Sequence, residues 1–378
     1  MELKNMPENT PSDLVFNDEY YKEVIDKYGY NAFDFKPIDF DISHLDKKAL
    51  NQRWLCHFDG EPFSQAINNK EKAIVTTGVG LSGSPHMGTI SQMMRAVFLQ
   101  EQGFNVQFVL GDLDSYNARS QPYSVVKARA EQYKEFITNL GFSDDKGILR
   151  SQDNNPEVCR TAYLISRCLT DEDFLNAEED LSELYQKQGA YPGIKYPVKQ
   201  AINLMVADFI HLGMADKNKS VMVMLGLEEH LYVRIAKDVI KRMKMPFHLG
   251  AMYSKIIKGF NGFPKMSKSI PGSSINVDMN IDQIRHKLQY EEGYYNKPDD
   301  SVAYQMMCAV SNYTPRDLSI LHEKCSVGGR YWSAAKDEYA EYLDSVFKRW
   351  PKDKVLDRST TMNPMDMFII KNGRGGKL

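Results

Sequence analysis

Residues 71–111 constrain the fold more than any other part of the chain. AIVTT is a short β-branched run, which reads as a strand. The turn-rich GVGLSGSP follows. HMGTISQMMRAVFLQEQ then sets apolar side chains at helical spacing until Gly103 stops them. NVQFVLGD reads as a second strand. Strand, loop, helix and strand make one βαβ unit, and such units imply a parallel sheet in an α/β fold.

Further on, SVMVMLG reads as another strand and LEEHLYVRIAKDVIKRM as a helix. SVVKARAEQYKEFITNL and PVKQAINLMVADFIHLG supply helices between them. From about Asn280 to about Trp350 the pattern is helical. The first seventy or so residues read as an extension, and the last dozen, ending NGRGGKL, as a mobile tail.

Charge gives little direction to partners. Lys plus Arg is 47 and Asp plus Glu is 50, a net charge of −3, so a nucleic-acid partner would need a local basic patch. The five cysteines, Cys56, Cys159, Cys168, Cys308 and Cys325, form no Cys-x-x-Cys. Free thiols in a reducing, cytoplasmic setting are expected, with neither a disulfide framework nor a zinc site. The opening MELKNMPENTPSDL has no apolar run, so no secretory signal and no membrane association are expected. His211, His230 and His248 are scattered and form no metal set. Methionines such as those of VMVML and Met93–Met94 read as core packing.

Two loops carry chemistry. In GVGLSGSPHMGT, Gly80, Gly83 and Gly88 frame Ser82, Ser84, Pro85 and His86. A glycine-rich loop entering a helix exposes backbone N–H groups and the positive end of the helix dipole, a place for phosphate. The pattern is neither the G-x-G-x-x-G of a dinucleotide fold nor a Walker loop, and taken alone it reads as a strand-to-helix turn. FPKMSKSIPGSSI, from Phe263, puts Lys265 and Lys268 three apart where Gly, Pro and Ser block a regular helix. Such a loop can close over a phosphate chain and neutralise charge as it develops. Alone it reads as a solvated turn, but following a parallel-sheet unit that opens with SGSPHMG it is far more specific.

That ordered pair resembles the two signatures of class I aminoacyl-tRNA synthetases. TTGVGLSGSPHMG, KEVIDKYGYNAFDF, NLGFSDDKGILRS, YPVKQA and KMSKSIPGSSI resemble, in order, segments of the tryptophanyl-tRNA synthetases of archaeal and eukaryotic type. The likeness runs from about residue 20 to about residue 345. The early loop and GDLDSYNAR also look like class I lysyl-tRNA synthetases, but PGSSI favours the tryptophan family. The resemblance implies a Rossmann-like parallel-sheet catalytic domain over 71–275 with a helical insertion at about 115–190. An N-terminal extension over 1–70 and a C-terminal helical domain and tail over 276–378 complete it. It further implies ATP with Mg²⁺, an amino acid, a tRNA acceptor and a homodimer. No protein ligand to a metal is implied.

Residue by residue, the resemblance gives His86, Lys265 and Lys268 the catalytic roles: His86 would touch phosphate, and the lysines would embrace the β- and γ-phosphates. Ser82, Gly83, Gly88, Thr89, Gly226, Glu228, Met266 and Ser267 would complete the ATP site, with Gly88 under the adenine and Glu228 on the ribose hydroxyls. Thr89 stands where many members carry a second histidine; its hydroxyl can bond phosphate but carries no charge. Tyr116, Gln200, Asp208 and Glu229 are the candidates for amino-acid binding, Gln200 and Asp208 being alternatives from two conflicting alignments. Glu229 puts a carboxylate where the family has a neutral amide, and facing a substrate carboxylate it would repel it unless protonated or screened. Glu228 and Glu229 also read as first-turn residues favoured by the helix dipole. Asp112 reads as a turn cap and Asp114 as either a cap or an amine ligand. The departures at Thr89 and Glu229 raise a second reading, a paralogue that activates an amino acid for another acceptor. A third is a non-catalytic binding protein, against which both lysines argue.

Overall fold

The computed structural model describes residues 16–33, 47–176, 196–214, 217–267 and 270–352. Seven strands form one sheet: β1 (Asn31–Ala32), β2 (Cys56–Phe58), β3 (Ala73–Gly80), β4 (Val106–Gly111), β5 (Gly147–Ser151), β6 (Ser220–Gly226) and β7 (His248–Ser254), in the order β1-β2-β7-β6-β3-β4-β5. The five strands from β7 to β5 are parallel, while β1 and β2 add an antiparallel edge beside β7. Residues read as an N-terminal extension therefore lengthen the sheet, and the 115–190 range holds β5 as well as helices.

The sheet is covered on both faces because its strands are apolar in both directions. Met222 and Met224 of β6 point into one core cluster, and Val221, Val223 and Leu225 point into another. The first face receives α3 (Glu61–Asn68), α4 (Met87–Glu101) and α6 (Tyr123–Leu140). The second receives α1 (Asp18–Tyr28), α7 (Pro156–Ile165), α9 (Tyr196–Met214) and α10 (His230–Met243). Short helices α2 (Lys47–Arg53), α5 (Asp112–Ala118) and α8 (Asp171–Asn176) complete this part.

The C-terminal helices are α11 (Ile281–Tyr290), α12 (Val302–Ala309), α13 (Pro315–Val327) and α14 (Gly329–Phe347). Capping boxes begin two of them: Asn280 with Gln283, and Thr314 with Asp317. Trp350 stands edge-on to Tyr133 and Phe136, with centroids at 5.3 and 5.4 Å, which fastens the helical region to α6. Among the described residues, no helix is long and apolar enough to cross a membrane.

The connectivity decides where a ligand can sit. From β3 the chain builds outward through β4 to β5, then crosses back to β6 on the other side of β3. The crevice beyond the carboxyl ends of β3 and β6 is therefore the topological switch point, where open α/β sheets bind ligands.

Candidate active site

A cleft of about 270 Å³ opens at that point, floored by the ends of β3 and β6. The first loop lines it with Ser82, His86, Gly88 and Thr89, and the lysine loop lines it with Lys265, Met266 and Ser267. Gly226, Glu228 and Glu229 come from the end of β6. The two loops are stitched together: Met87 N–H donates to the Ile275 carbonyl at 3.2 Å, and Val277 N–H donates to the Pro85 carbonyl at 3.1 Å. Residues far apart in sequence thus line one cleft.

His86 is the N-cap of α4, in extended backbone conformation, and its Nδ1 accepts the Gly88 N–H at 3.1 Å. With Nδ1 as acceptor, the neutral ring carries its proton on Nε2. The cap needs Gly88, because a Cβ there would lie 2.9 Å from His86 Cε1. The loop is anchored from behind. Leu81 N–H donates to Ser115 Oγ, Arg129 donates to the Leu81 carbonyl, and the Tyr133 hydroxyl donates to the Gly83 carbonyl. Gly83 accordingly does not line the cleft; its carbonyl is committed to α6, contrary to its expected place in the nucleotide site.

Lys265 is buried, 8% exposed, and lines the cleft. Its loop folds around Ser273, whose hydroxyl donates to the Ile270 carbonyl at 2.8 Å and accepts the Ser267 N–H at 3.1 Å. Met266 N–H donates to the Ile257 carbonyl. Lys268 lies outside the described residues.

At the floor, the Glu228 side chain folds back over Gly226, where a Cβ would fall 2.2 Å from Glu228 Oε2. That oxygen is buried with no hydrogen-bond partner. Glu229 is half-buried. Burial, then the charge of Glu228, push its carboxyl up to about 7, opposed by Lys265. Both first-turn glutamates therefore face the cleft, beyond any dipole role.

Sequence reasoning missed Gln92, Arg95, Arg119 and Lys255, which line the cleft beside Gly80 and Asp114. Arg95 is buried within α4; it donates through Nε to the Arg53 carbonyl and through Nη1 to Ser91 Oγ. Burial, then Arg53, bring it down to about 10, against Glu228.

Of the four residues expected to bind the amino acid, Glu229 alone lines the cleft. Tyr116, Gln200 and Asp208 do not line the cleft. Tyr116 turns edge-on to Tyr123, at 6.1 Å between centroids. Gln200 is exposed in the first turns of α9. Asp208 is buried, and both its oxygens are engaged: Oδ1 by Arg150 at 2.5 Å and Oδ2 by Gln152 at 2.9 Å. Gln152 in turn accepts the Asp114 N–H at 2.9 Å, which sets the start of α5. Asp112 is the first residue of α5 and not its cap; its Oδ1 accepts from the Leu113 and Asp153 N–H groups, tying the end of β4 to the loop after β5. Replacing Asp208 by alanine should therefore cost about 3–5 kcal/mol of stability, since it leaves the Arg150 guanidinium buried without a counter-charge. Urea unfolding measures this, and an unchanged midpoint would refute the structural role.

A family model for class I tRNA synthetases (W and Y) matches residues 68–348. The tryptophan–tRNA ligase of Methanocaldococcus jannaschii is 23% identical over 363 residues, 89% of this chain and 93% of that protein. The tyrosine–tRNA ligase of Methanopyrus kandleri is 26% identical over 234 residues, 61% of this chain and 67% of that protein. Among solved structures, the tryptophanyl-tRNA synthetase of Aeropyrum pernix aligns with a TM-score of 0.71 at 19% identity, covering 89% of this chain and 95% of that one. The tryptophan-bound enzyme of Encephalitozoon cuniculi aligns at 0.67 and 15% identity, covering 89% and 97%.

Proposed function

The chain belongs to the class I tRNA synthetases (W and Y), and from that membership we propose that its cleft activates tryptophan or a related amino acid with ATP and passes it to tRNA. The observation that carries the site is the stitching of the first loop to the segment after the lysine loop, with His86 on one wall and Lys265 on the other.

In the reaction, a carboxylate oxygen of the amino acid attacks the α-phosphorus of ATP. The bond from that phosphorus to the bridging oxygen breaks, and pyrophosphate leaves. A ribose hydroxyl of the tRNA then takes the acyl group, and AMP leaves. No protein nucleophile is needed, so the chain contributes alignment and placed charge. His86 Nε2–H donates to a phosphate oxygen, and the hydroxyls of Ser82 and Thr89 add neutral donors. Gly88 gives the adenine its clearance, and Met266 and Ser267 hold the lysine loop against the nucleotide. Lys265, with Lys268, takes the charge that grows on the departing pyrophosphate. Glu228, on the cleft lining, accepts from the ribose hydroxyls. Glu229, in its ionised form, pairs with the substrate ammonium. Mg²⁺ would arrive on the phosphates, where it shares their charge; among the described residues no group of three or more His, Cys, Asp or Glu side chains is placed to hold an ion. We place the enzyme in the cytoplasm as a homodimer.

Amino-acid-dependent exchange of labelled pyrophosphate into ATP, run across all twenty amino acids, tests the first step. Exchange with tryptophan or an aromatic relative is expected, and exchange with none would overturn the reading. Total tRNA then tests the second step through acid-precipitable amino acid. Activation without charging would favour a paralogue serving another acceptor, a reading that the Thr89 and Glu229 departures support.

A further inference from the structure

Among the described residues, the cations Arg95, Arg119, Lys255 and Lys265 and the carboxylates Asp114, Glu228 and Glu229 line the cleft. The substrate of the activation step is a zwitterion, and its carboxylate must be brought up to a polyphosphate. An anion that enters beside the carboxylates of the wall and then meets phosphate needs a cation on its own side of the cleft.

Placement separates the candidates. Lys265 rides on the loop given to the departing pyrophosphate. Arg95 and Lys255 stand where the cleft meets a second cavity, walled by α1, α2, α12 and α13. Arg119 follows directly on α5, is exposed, and comes four residues after Ser115, one turn further along the same side of the helix. That side of α5 is held against the first loop. Ser115 Oγ accepts the Leu81 N–H at 2.6 Å, and Gly80 leaves room for Asp114, since a Cβ there would lie 3.4 Å from Asp114 Oδ2. Gln152 fixes the start of the helix through the Asp114 N–H, and Gln121 N–H donates to the Ser115 carbonyl at 3.3 Å just beyond its end. The backbone that carries Arg119 is therefore set before a substrate arrives. Its charge also reaches Glu229, the group given to the substrate ammonium, and favours the ionised form there.

We propose that Arg119 binds the carboxylate of the amino acid and holds it for attack on the α-phosphorus of ATP. A guanidinium fork can meet both carboxylate oxygens at once, while Glu229 holds the ammonium of the same molecule. One of those oxygens forms its bond to phosphorus as the bond to the bridging oxygen breaks, and pyrophosphate leaves with the electron pair. Arg119 keeps its protons throughout. This assignment deepens the activation reading and rests on it. Its kinetic signature is opposite to that of Lys265. Negative charge leaves the carboxylate as the anhydride forms, so Arg119 contributes capture and alignment, whereas Lys265 answers charge that grows.

The test is pyrophosphate exchange by Arg119→Ala with the amino acid that the parent activates, alongside inhibition by the same molecule without its carboxylate, tryptamine where the substrate is tryptophan. The KM for the amino acid should rise about 10-fold or more, with kcat falling by a smaller factor. The inhibition constant of the amine should stay within about twofold of the parent's. Arg119→Lys keeps a charge without the fork and should recover part of the loss. A KM within about twofold of the parent's would overturn the assignment. So would an equal weakening of the amine and the amino acid, which would make Arg119 a structural residue. Either outcome, in a parent that exchanges, refutes Arg119 alone. Exchange by the parent with none of the twenty amino acids would instead refute the activation reading on which the assignment rests.

Discussion

Replacing Lys265 by alanine is expected to lower amino-acid-dependent pyrophosphate exchange by about 10²–10³-fold, the loss that follows removal of one group aimed at transition-state charge. Ground-state ATP affinity should fall much less, because the charge this ammonium answers grows chiefly as pyrophosphate departs. Lys265 is only 8% exposed, so its field is weakly screened by solvent and salt. The loop that carries it is set by backbone: Met266 on the Ile257 carbonyl, and Ser267 on Ser273 Oγ. Side-chain removal should thus leave the loop in place, and an unchanged unfolding midpoint would verify that. Lys265→Arg keeps the charge in a different shape and should recover part of the rate. Exchange within about threefold of the parent in Lys265→Ala would remove this residue from the mechanism, since even one modest hydrogen bond to the transition state is worth more than that.

The parts of the fold that sequence reveals are those whose signals are local. β3, α4, β4 and β6 carry long apolar runs with glycine stops, and they lie where the pattern puts them. β2, β5 and β7 do not announce themselves: CHF is only three residues long, GILRS opens on glycine and has just two apolar residues before two polar ones, and HLGAMYS is broken by glycine. Their strand state comes from pairing with neighbours already in the sheet. The site divides in the same way. Loop residues whose backbone does the positioning, such as His86 and Gly88, are readable from the motif. Tyr116, Gln200 and Asp208 are not, because a likeness of segments gives residue order and not side-chain direction. Asp208 illustrates this: its environment is fixed by Arg150 on β5, a strand absent from the reading. Arg95 did leave a trace. Gly88, Ser91, Gln92 and Arg95 form a polar stripe at helical spacing in an otherwise apolar helix, and such a stripe marks the face turned to a cleft.

Glu229→Gln is expected to separate the stability of the fold from the recognition of the substrate. The parent carboxyl titrates near 7 in the folded protein because burial and Glu228 oppose its charge, whereas in the unfolded chain a glutamate titrates near its usual value of about 4.3. Between those values the folded state retains a proton that the unfolded state has lost, so stability falls as pH rises through the window and is level above it. A neutral amide removes that loss. At pH 8 the variant should be more stable than the parent by an amount on the order of 2 kcal/mol, and at about pH 4 the two should be nearly equal. Recognition runs the other way. If the ionised Glu229 holds the substrate ammonium, kcat/KM for the amino acid should climb through about pH 7 in the parent and lose that step in the variant. The groups around it, Glu228, Lys265, Asp114 and Arg119, remain in both proteins, so the difference between the two profiles belongs to this carboxyl. A variant that is stabilised and yet keeps the parent's pH step would mean that Glu229 only burdens the fold, and the ammonium would have to be held by another group, such as Asp114, a carboxylate that lines the cleft beside the end of β4. The combination of gained stability and a lost pH step is the outcome that fits a charge kept in a buried place because the substrate needs it there.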